Sequence, residues 1–367
     1  MSESTLIWET IAGGLITALV LLDVFLTVLY ARIGYGLLSR RIARGTWWIF
    51  RHVANLSPRH KGRILSFAGP TILVLLVAGW AFTLSVGAAL IVHDRLGKSI
   101  VAQSGKSEND WITALFVGNA SLSIVSSSGY SPNTPMTRLL YVTNSILGAS
   151  VLSLSLTYLM QVYSALNQRN ALALNTQLSA GEKGDAAELI VGVGPRGRFD
   201  AASRTLDQMS SEMIQMKETH NLYPVLFYFR FPAAFYAISR FTFVALDTTS
   251  LLRTGLAPTY DWLKESGSVQ GLARAARLLL ETLTENFVNA KVEPVQPDAS
   301  QRAAWRQRYF AALQKIQKAG IEIAPDVEGG VEAYIASRAD WECLIRRLAP
   351  FMAYTIEEID QVTPAYN

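Results

Sequence analysis

The residues in this chain best placed to do chemistry are oxygens, not acids or bases. In the run Ser123-Ile124-Val125-Ser126-Ser127-Ser128-Gly129-Tyr130-Ser131-Pro132, three consecutive serines stand in a Ser/Gly-rich turn with no carboxylate, imidazole or amine among them. Such a set has no means of cleaving a bond. It can replace part of the water shell of a passing ion, as rings of oxygen ligands do. Hydroxyls both accept and donate, so the residue types alone admit a cation or an anion.

The elements around this run must place it at membrane depth. From Leu6 to Tyr30 the only charges are Glu9 and Asp23, and there are none from Ile64 to Val92 or from Leu139 to Leu166. Each run reaches the ~20 residues that a helix needs to cross about 30 Å of hydrocarbon. The apolar stretch Ala114 to Val125 is too short to cross and fits a half-length, re-entrant helix. Bare backbone at that depth is tolerated where protein buries it or water reaches it, and a loop lining a pore meets that condition. The first run lacks a basic leader and a cleavage site and reads as a retained helix.

Basic residues predict the orientation. Arg32, Arg40, Arg41, Arg44, Arg51, Arg59, Lys61 and Arg63 occupy the loop after the first run, without an acid, whereas charges balance between His93 and Asp110. The positive-inside rule then puts that loop and everything after Leu166 in the cytoplasm, with the N-terminus and the turn's entry outside. The net charge of +4 arises in this loop. It marks membrane orientation and predicts no nucleic-acid partner.

Within the loop, Gly34 to Leu56 interleaves apolar residues with arginines. It reads as a helix in the inner headgroup plane, with Trp47 and Trp48 at interface depth; a packed connector helix is the alternative. Asp23 is the one charge deep in a spanning run, and intramembrane carboxylates are functional candidates. A structural pair with a basic residue of the next loop is equally open. Beyond the third run, helical periodicity predicts helices near 199–219, 233–255, 270–289, 301–319 and 329–348. Gly192-Val-Gly194-Pro-Arg-Gly197 matches the spacing of a dinucleotide loop, but DAAELIV before it is equally helical, Pro195 lies inside it and no second strand follows, so it reads as a linker capping a short helix. The aromatics Tyr223, Phe227, Tyr228, Phe229, Phe231, Phe235 and Tyr236 read as core or subunit interface. Cys343, the single cysteine, reads as a small core residue. His52, His60, His93 and His220 fall in different compartments, and no catalytic constellation or metal site emerges.

In order and spacing, Leu65 to Leu166 resembles the pore module of the potassium-channel superfamily: outer helix, pore helix, filter loop, inner helix. The whole chain looks like bacterial proteins grouped with two-pore potassium channels by that module. Their first helix also runs into the pattern seen here from Leu22 to Tyr30 (LDVFLTVLY), although only one pore unit is visible here. Laid on the family's T-T-V-G-Y-G-D-x-x-P, Val125 and Pro132 match; serines replace both glycines and the tyrosine, and Gly129 replaces the aspartate. The resemblance implies a selectivity filter over Ile124, Val125, Ser126, Ser127, Ser128, Gly129 and Tyr130. It also implies a gating hinge at Gly148, for which close helix packing is the competing explanation. The filter glycines of the family adopt angles that cost a serine ~1–2 kcal/mol, so the architecture carries over more directly than potassium selectivity.

The expectation is an all-α membrane protein: three transmembrane helices, a re-entrant pore helix and loop, and an all-α cytoplasmic domain. Its segments are residues 1–63 (first span and basic helix), 64–166 (pore domain) and 167–367 (cytoplasmic regulatory domain). The function implied is a potassium-channel-like, cation-conducting pore in the cell membrane. It would be a homotetramer among membrane lipids, with a permeant monovalent ion in place of a cofactor and no enzymatic activity. A poorly selective or anion-conducting pore and a non-conducting membrane sensor are the alternatives.

Overall fold

The computed structural model describes residues 3–30, 36–124, 128–288 and 296–364. Val125, Ser126 and Ser127, the centre of the expected filter, lie outside these residues, as does Arg32. The chain divides into two bodies, one formed by Met1–Ile49, Ala68–Tyr163 and Leu222–Val225, the other by Phe50–Phe67, Ser164–Asn221 and Leu226–Asn367.

In the first body, α1 (Glu3–Val24) continues into a π-helical turn, Phe25–Leu29. Helix α2 spans Leu37–Leu56, α3 Lys61–Ser66 and α4 Ala68–His93, and α2 and α3 enter the second body. Uniform apolarity leaves α1 and α4 no polar stripe, and they meet through glycines. A Cβ on Gly13 would fall 2.6 Å from the Gly87 carbonyl oxygen, and one on Gly87 2.5 Å from Thr17 Oγ1. Small residues at such a crossing let backbones approach and gain dispersion contacts that lipid cannot supply.

Strand β1 (Ile100–Ala102), helix α5 (Trp111–Leu122), strand β2 (Tyr130–Pro132) and helix α6 (Pro135–Ser179), up to Tyr163, complete this body; α6 enters the second body at Ser164. β1 and β2 pair antiparallel, Ile100 opposite Pro132 and Ala102 opposite Tyr130. This strand clip has no counterpart in the helical periodicity. Three stretches are apolar and long enough to cross a membrane: Ile7–Leu29, Lys61–His93 and Pro135–Ser179. At 12 residues, α5 is shorter and covers only ~18 Å.

The second body is helical. It contains α7 (Ala186–Val193), α8 (Ala202–Leu222), α9 (Ile238–Gly255), α10 (Asp261–Lys264), α11 (Gly267–Leu283), α12 (Ala299–Lys318), α13 (Val327–Phe351) and α14 (Ile356–Ile359). The expected helices match α8, α9, α11, α12 and α13 to within a few residues. Side chains cap α7, α11 and α13, where Asp185, Ser266 and Asp326 accept backbone N–H groups, and capping boxes Asp298-x-x-Gln301 and Thr355-x-x-Glu358 start α12 and α14, each satisfying otherwise orphaned donors. Helix α9 is buried almost all round. Its threonines return hydrogen bonds to their own helix, as Thr242 does to the Ile238 carbonyl at 2.6 Å.

DAAELIV forms α7 rather than a strand, and Gly197 beyond it has φ +76°, a turn conformation open to glycine. Phe227, Tyr228 and Phe229 are buried, Phe227 stacking on Phe287 at 3.9 Å. Two expectations need correction. Cys343 is only half-buried, because it sits one position off the apolar row of α13. Trp47 is buried and Trp48 is exposed, since neighbours on a helix point about 100° apart.

Candidate functional site

The site is built from α4, α5 and α6. Asp110 caps α5, its carboxylate accepting from the Ile112 N–H at 3.2 Å. One face of α5, Ala114, Val117, Gly118 and Ser121, is buried. At Gly118 a Cβ would come within 2.7 Å of the Ala89 backbone N of α4, so only glycine allows that approach. Trp111, Ile112, Leu115 and Phe116 form an exposed apolar face on the same helix.

Two contacts fix the C-terminal end of α5 against α6. Asn144 Nδ2 donates to Ser121 Oγ at 2.9 Å, and that hydroxyl donates to the Gly118 carbonyl at 2.6 Å, all buried. One turn on, Gly148 lies under the Leu122 carbonyl, closer than any Cβ would permit. Helix α6 runs unbroken through Gly148. Its role in this conformation is the close contact.

The α5 carbonyls end at Leu122, and the partially negative end of the helix faces the start of the serine run. Ile124 is exposed, and the Ser128 hydroxyl accepts from the Tyr130 N–H at 3.3 Å. Gly129 has φ +69°, the left-handed region, and its carbonyl accepts from the Gln103 N–H at 2.8 Å. The Tyr130 hydroxyl accepts from the Glu108 N–H at 3.1 Å. The excursion 103–129 therefore begins and ends at one place, stapled by β1, β2 and Tyr130. Of the residues expected to form a filter, Ile124, Ser128 and Gly129 are described within this excursion and Tyr130 begins β2.

Asp23 is not brought to this loop. Its carboxylate accepts from the Leu38 N–H (2.7 Å), the Ser39 hydroxyl (2.6 Å) and Trp80 Nε1–H (2.8 Å). No basic residue pairs with it among the described residues; neutral donors tie α1, α2 and α4 together. The π-helical turn just beyond adds Thr27, whose hydroxyl bonds Ser39 and accepts from the Gly36 N–H. At the other end of α4, His93 Nδ1 lies 2.8 Å from Glu9 and its ring stacks on Trp111 at 4.2 Å.

Sequence reasoning missed a buried charge network in the second body. Arg308 pairs with Asp185 and Asp247 at 2.7 and 2.8 Å, Lys315 with Asp185 at 2.6 Å, and Tyr334 donates to Asp247 at 2.5 Å. Arg338 pairs with Glu342 and Asp360 among the rings of Phe243, Trp305 and Trp341. Burial alone would raise the Asp185 and Asp360 carboxyls; their cationic partners outweigh it and hold both below the ordinary range. A signal existed. Arg338 falls within the apolar row of Val331, Tyr334, Ile335, Trp341 and Ile345 on α13.

No protein-family model and no solved structure matches the chain. It is 24% identical over 219 residues to the "Uncharacterized membrane protein YdjJ" of Bacillus subtilis (strain 168), a match covering 60% of this chain and 62% of that one. The matched segment thus spans about three fifths of each protein. With its three long apolar helices, this chain is a membrane protein of nearly all-α structure.

Proposed function

We propose that the chain is one subunit of a homotetrameric, potassium-channel-like pore that conducts cations through a non-standard serine filter. The observation carrying this reading is the closed excursion between two long apolar helices. The chain leaves β1, runs through a helix too short to cross a bilayer and returns to pair with β1. In a bilayer this describes a re-entrant pore helix and loop, entered and left on one side.

The exposed surfaces support assembly. The apolar window of α6 is only 22% buried, against 44% for the Lys61–His93 window, although an inner helix is the one that faces the axis and its neighbours. One re-entrant loop needs partners or water for its backbone groups, and closed rotational symmetry supplies both. The C-terminal end of α5 favours a cation at the serine run. Residues 167–367, after the third apolar run, are the cytoplasmic regulatory domain, the basic segment before the second run giving the orientation. Mass measurement of the full chain in mild detergent tests the assembly: a tetramer is expected, and a stable monomer contradicts the reading.

A further inference from the structure

A cavity of about 300 Å³ in the second body is lined by Arg51 and Asn55 of α2, Lys61 of α3, and the turn Ala353-Tyr354-Thr355. Arg51 and Asn55 are four residues apart and share a helix face. Neither Arg51 nor Lys61 has a carboxylate partner among the described residues; the Arg51 guanidinium instead rests over the Phe351 ring, 6.0 Å from its centroid. The nearby acids do not line the cavity. Glu358 accepts from the Thr355 N–H, and Glu357 is held below its ordinary range by its own backbone N–H and then by Thr355.

The opposite wall is rigid. Arg230 lies 4.4 Å over the Tyr354 ring and donates from Nε to the Ala353 carbonyl at 3.3 Å. The Tyr354 hydroxyl donates to the Phe231 carbonyl at 3.0 Å. Ala353 is held at φ +62°, a conformation costing a residue with a Cβ ~1–2 kcal/mol. This left-handed residue closes the C-terminus of α13, the Tyr354 N–H donating to the Ala349 carbonyl at 2.9 Å.

We infer that this cavity binds a phosphate group, carried by an anionic phospholipid headgroup or by a soluble phosphate. Two cations facing one small space repel each other, and an anion with several oxygens relieves them both. Arg51 supplies a planar fork suited to two phosphate oxygens, Lys61 a point charge and Asn55 an amide donor. Helix α2 favours the lipid as source. Trp48, Ile49, Val53 and Leu56 form an exposed apolar strip along it, and Trp48 shares a helical row with Arg51 and Asn55. A basic pocket beside such a strip suits a headgroup at the membrane surface. The inference stands whether or not α5 lines an ion path.

Calorimetric titration of the full chain in neutral detergent tests it, with dioctanoyl phosphatidylglycerol, dioctanoyl phosphatidylcholine and inorganic phosphate as probes. Phosphatidylglycerol is expected to bind saturably, one per protomer and at least tenfold tighter than phosphatidylcholine. Asn55→Asp, an exposed change that spares the packing, and the double change Arg51→Gln/Lys61→Gln should each weaken binding at least tenfold. Arg40→Gln/Arg41→Gln, which removes equal charge from the exposed face of α2 outside the cavity, should change it less than twofold. Inorganic phosphate binding as tightly as phosphatidylglycerol would assign the site to a soluble anion. Saturable binding of neither, or equal weakening by the Arg40/Arg41 control, overturns the inference.

Discussion

Gly148 of α6 lies directly against the Leu122 carbonyl at the end of α5, with no room between them for a methyl group. The orientation of the short helix depends on this contact. Overpacking a tight site costs typically ~1–3 kcal/mol. Gly148→Ala is therefore expected to lower the thermal midpoint of the detergent-solubilised protein by several degrees and to alter ion preference by displacing Leu122. Unchanged stability and selectivity with a reduced open probability would assign Gly148 to hinge bending.

Asp23 holds three helices through three neutral donors. Removing its carboxylate strands the Trp80 indole N–H and the Leu38 N–H, at ~1–3 kcal/mol for each buried group left without a partner, while the Ser39 hydroxyl keeps Thr27. Asp23→Ala should lower the thermal midpoint markedly and shift the Trp80 fluorescence. Asp23→Asn, which keeps one acceptor oxygen, should cost less. Equal stability of Asp23→Ala and the native protein would show that these bonds do not support the fold.

Acid sensitivity of the second body should have two windows. His220 is buried, its Nδ1–H donating to the Met216 carbonyl. Burial, then the Arg169 charge, pushes its pKa down to about 3. The unfolded chain protonates this histidine near pH 6.5 while the folded one does not, so stability falls as pH drops below that value. Between pH 7 and 5 the loss is about 2 kcal/mol. Asp185 and Asp360, held low by Arg308 and Arg338, contribute stability that is present above an unfolded pKa of about 3.9 and lost as pH falls below it. Thermal midpoints of the native protein should therefore decline from pH 7 to 5, and His220→Gln should flatten that decline while leaving the loss below pH 4. An unchanged slope in His220→Gln would move the titration to another group.

The loop sets a further expectation. Gly129 occupies the left-handed region, so Gly129→Asp costs backbone strain there. The combined changes Ser126→Gly, Ser127→Tyr and Ser128→Gly, with Gly129 retained, should fold better than the set that also includes Gly129→Asp. They should also shift permeability toward K⁺ over Na⁺ in bilayer recordings. If the triple change conducts and selects as the native loop does, the serines do not line the ion path.

Much of the helical architecture was legible because its signals are local. Runs with few or no charges mark the long apolar helices, 3.6-residue periodicity marks α8, α9, α11, α12 and α13, and Asp110 before an apolar turn marks the start of α5. What remained hidden depends on contacts between segments distant in sequence. The pairing of Ile100–Ala102 with Tyr130–Pro132 is too short to show alternation. The neutral partners of Asp23 lie 15, 16 and 57 residues away. Asp247 looks like an error in an apolar helix until Arg308 and Tyr334 are seen beside it. The closeness of Gly148 to Leu122 belongs to the same class: a glycine in a helix announces either bending or contact, and only the neighbour decides.

The central claim is that the serine run lies on an ion path, and reversal potentials of the purified chain in planar bilayers test it most directly. With opposed K⁺, Na⁺ and Cl⁻ gradients, unitary currents are predicted, reversing near the potential set by the cations. Currents that follow Cl⁻, or the absence of any unitary current from protein shown to be tetrameric, would contradict it.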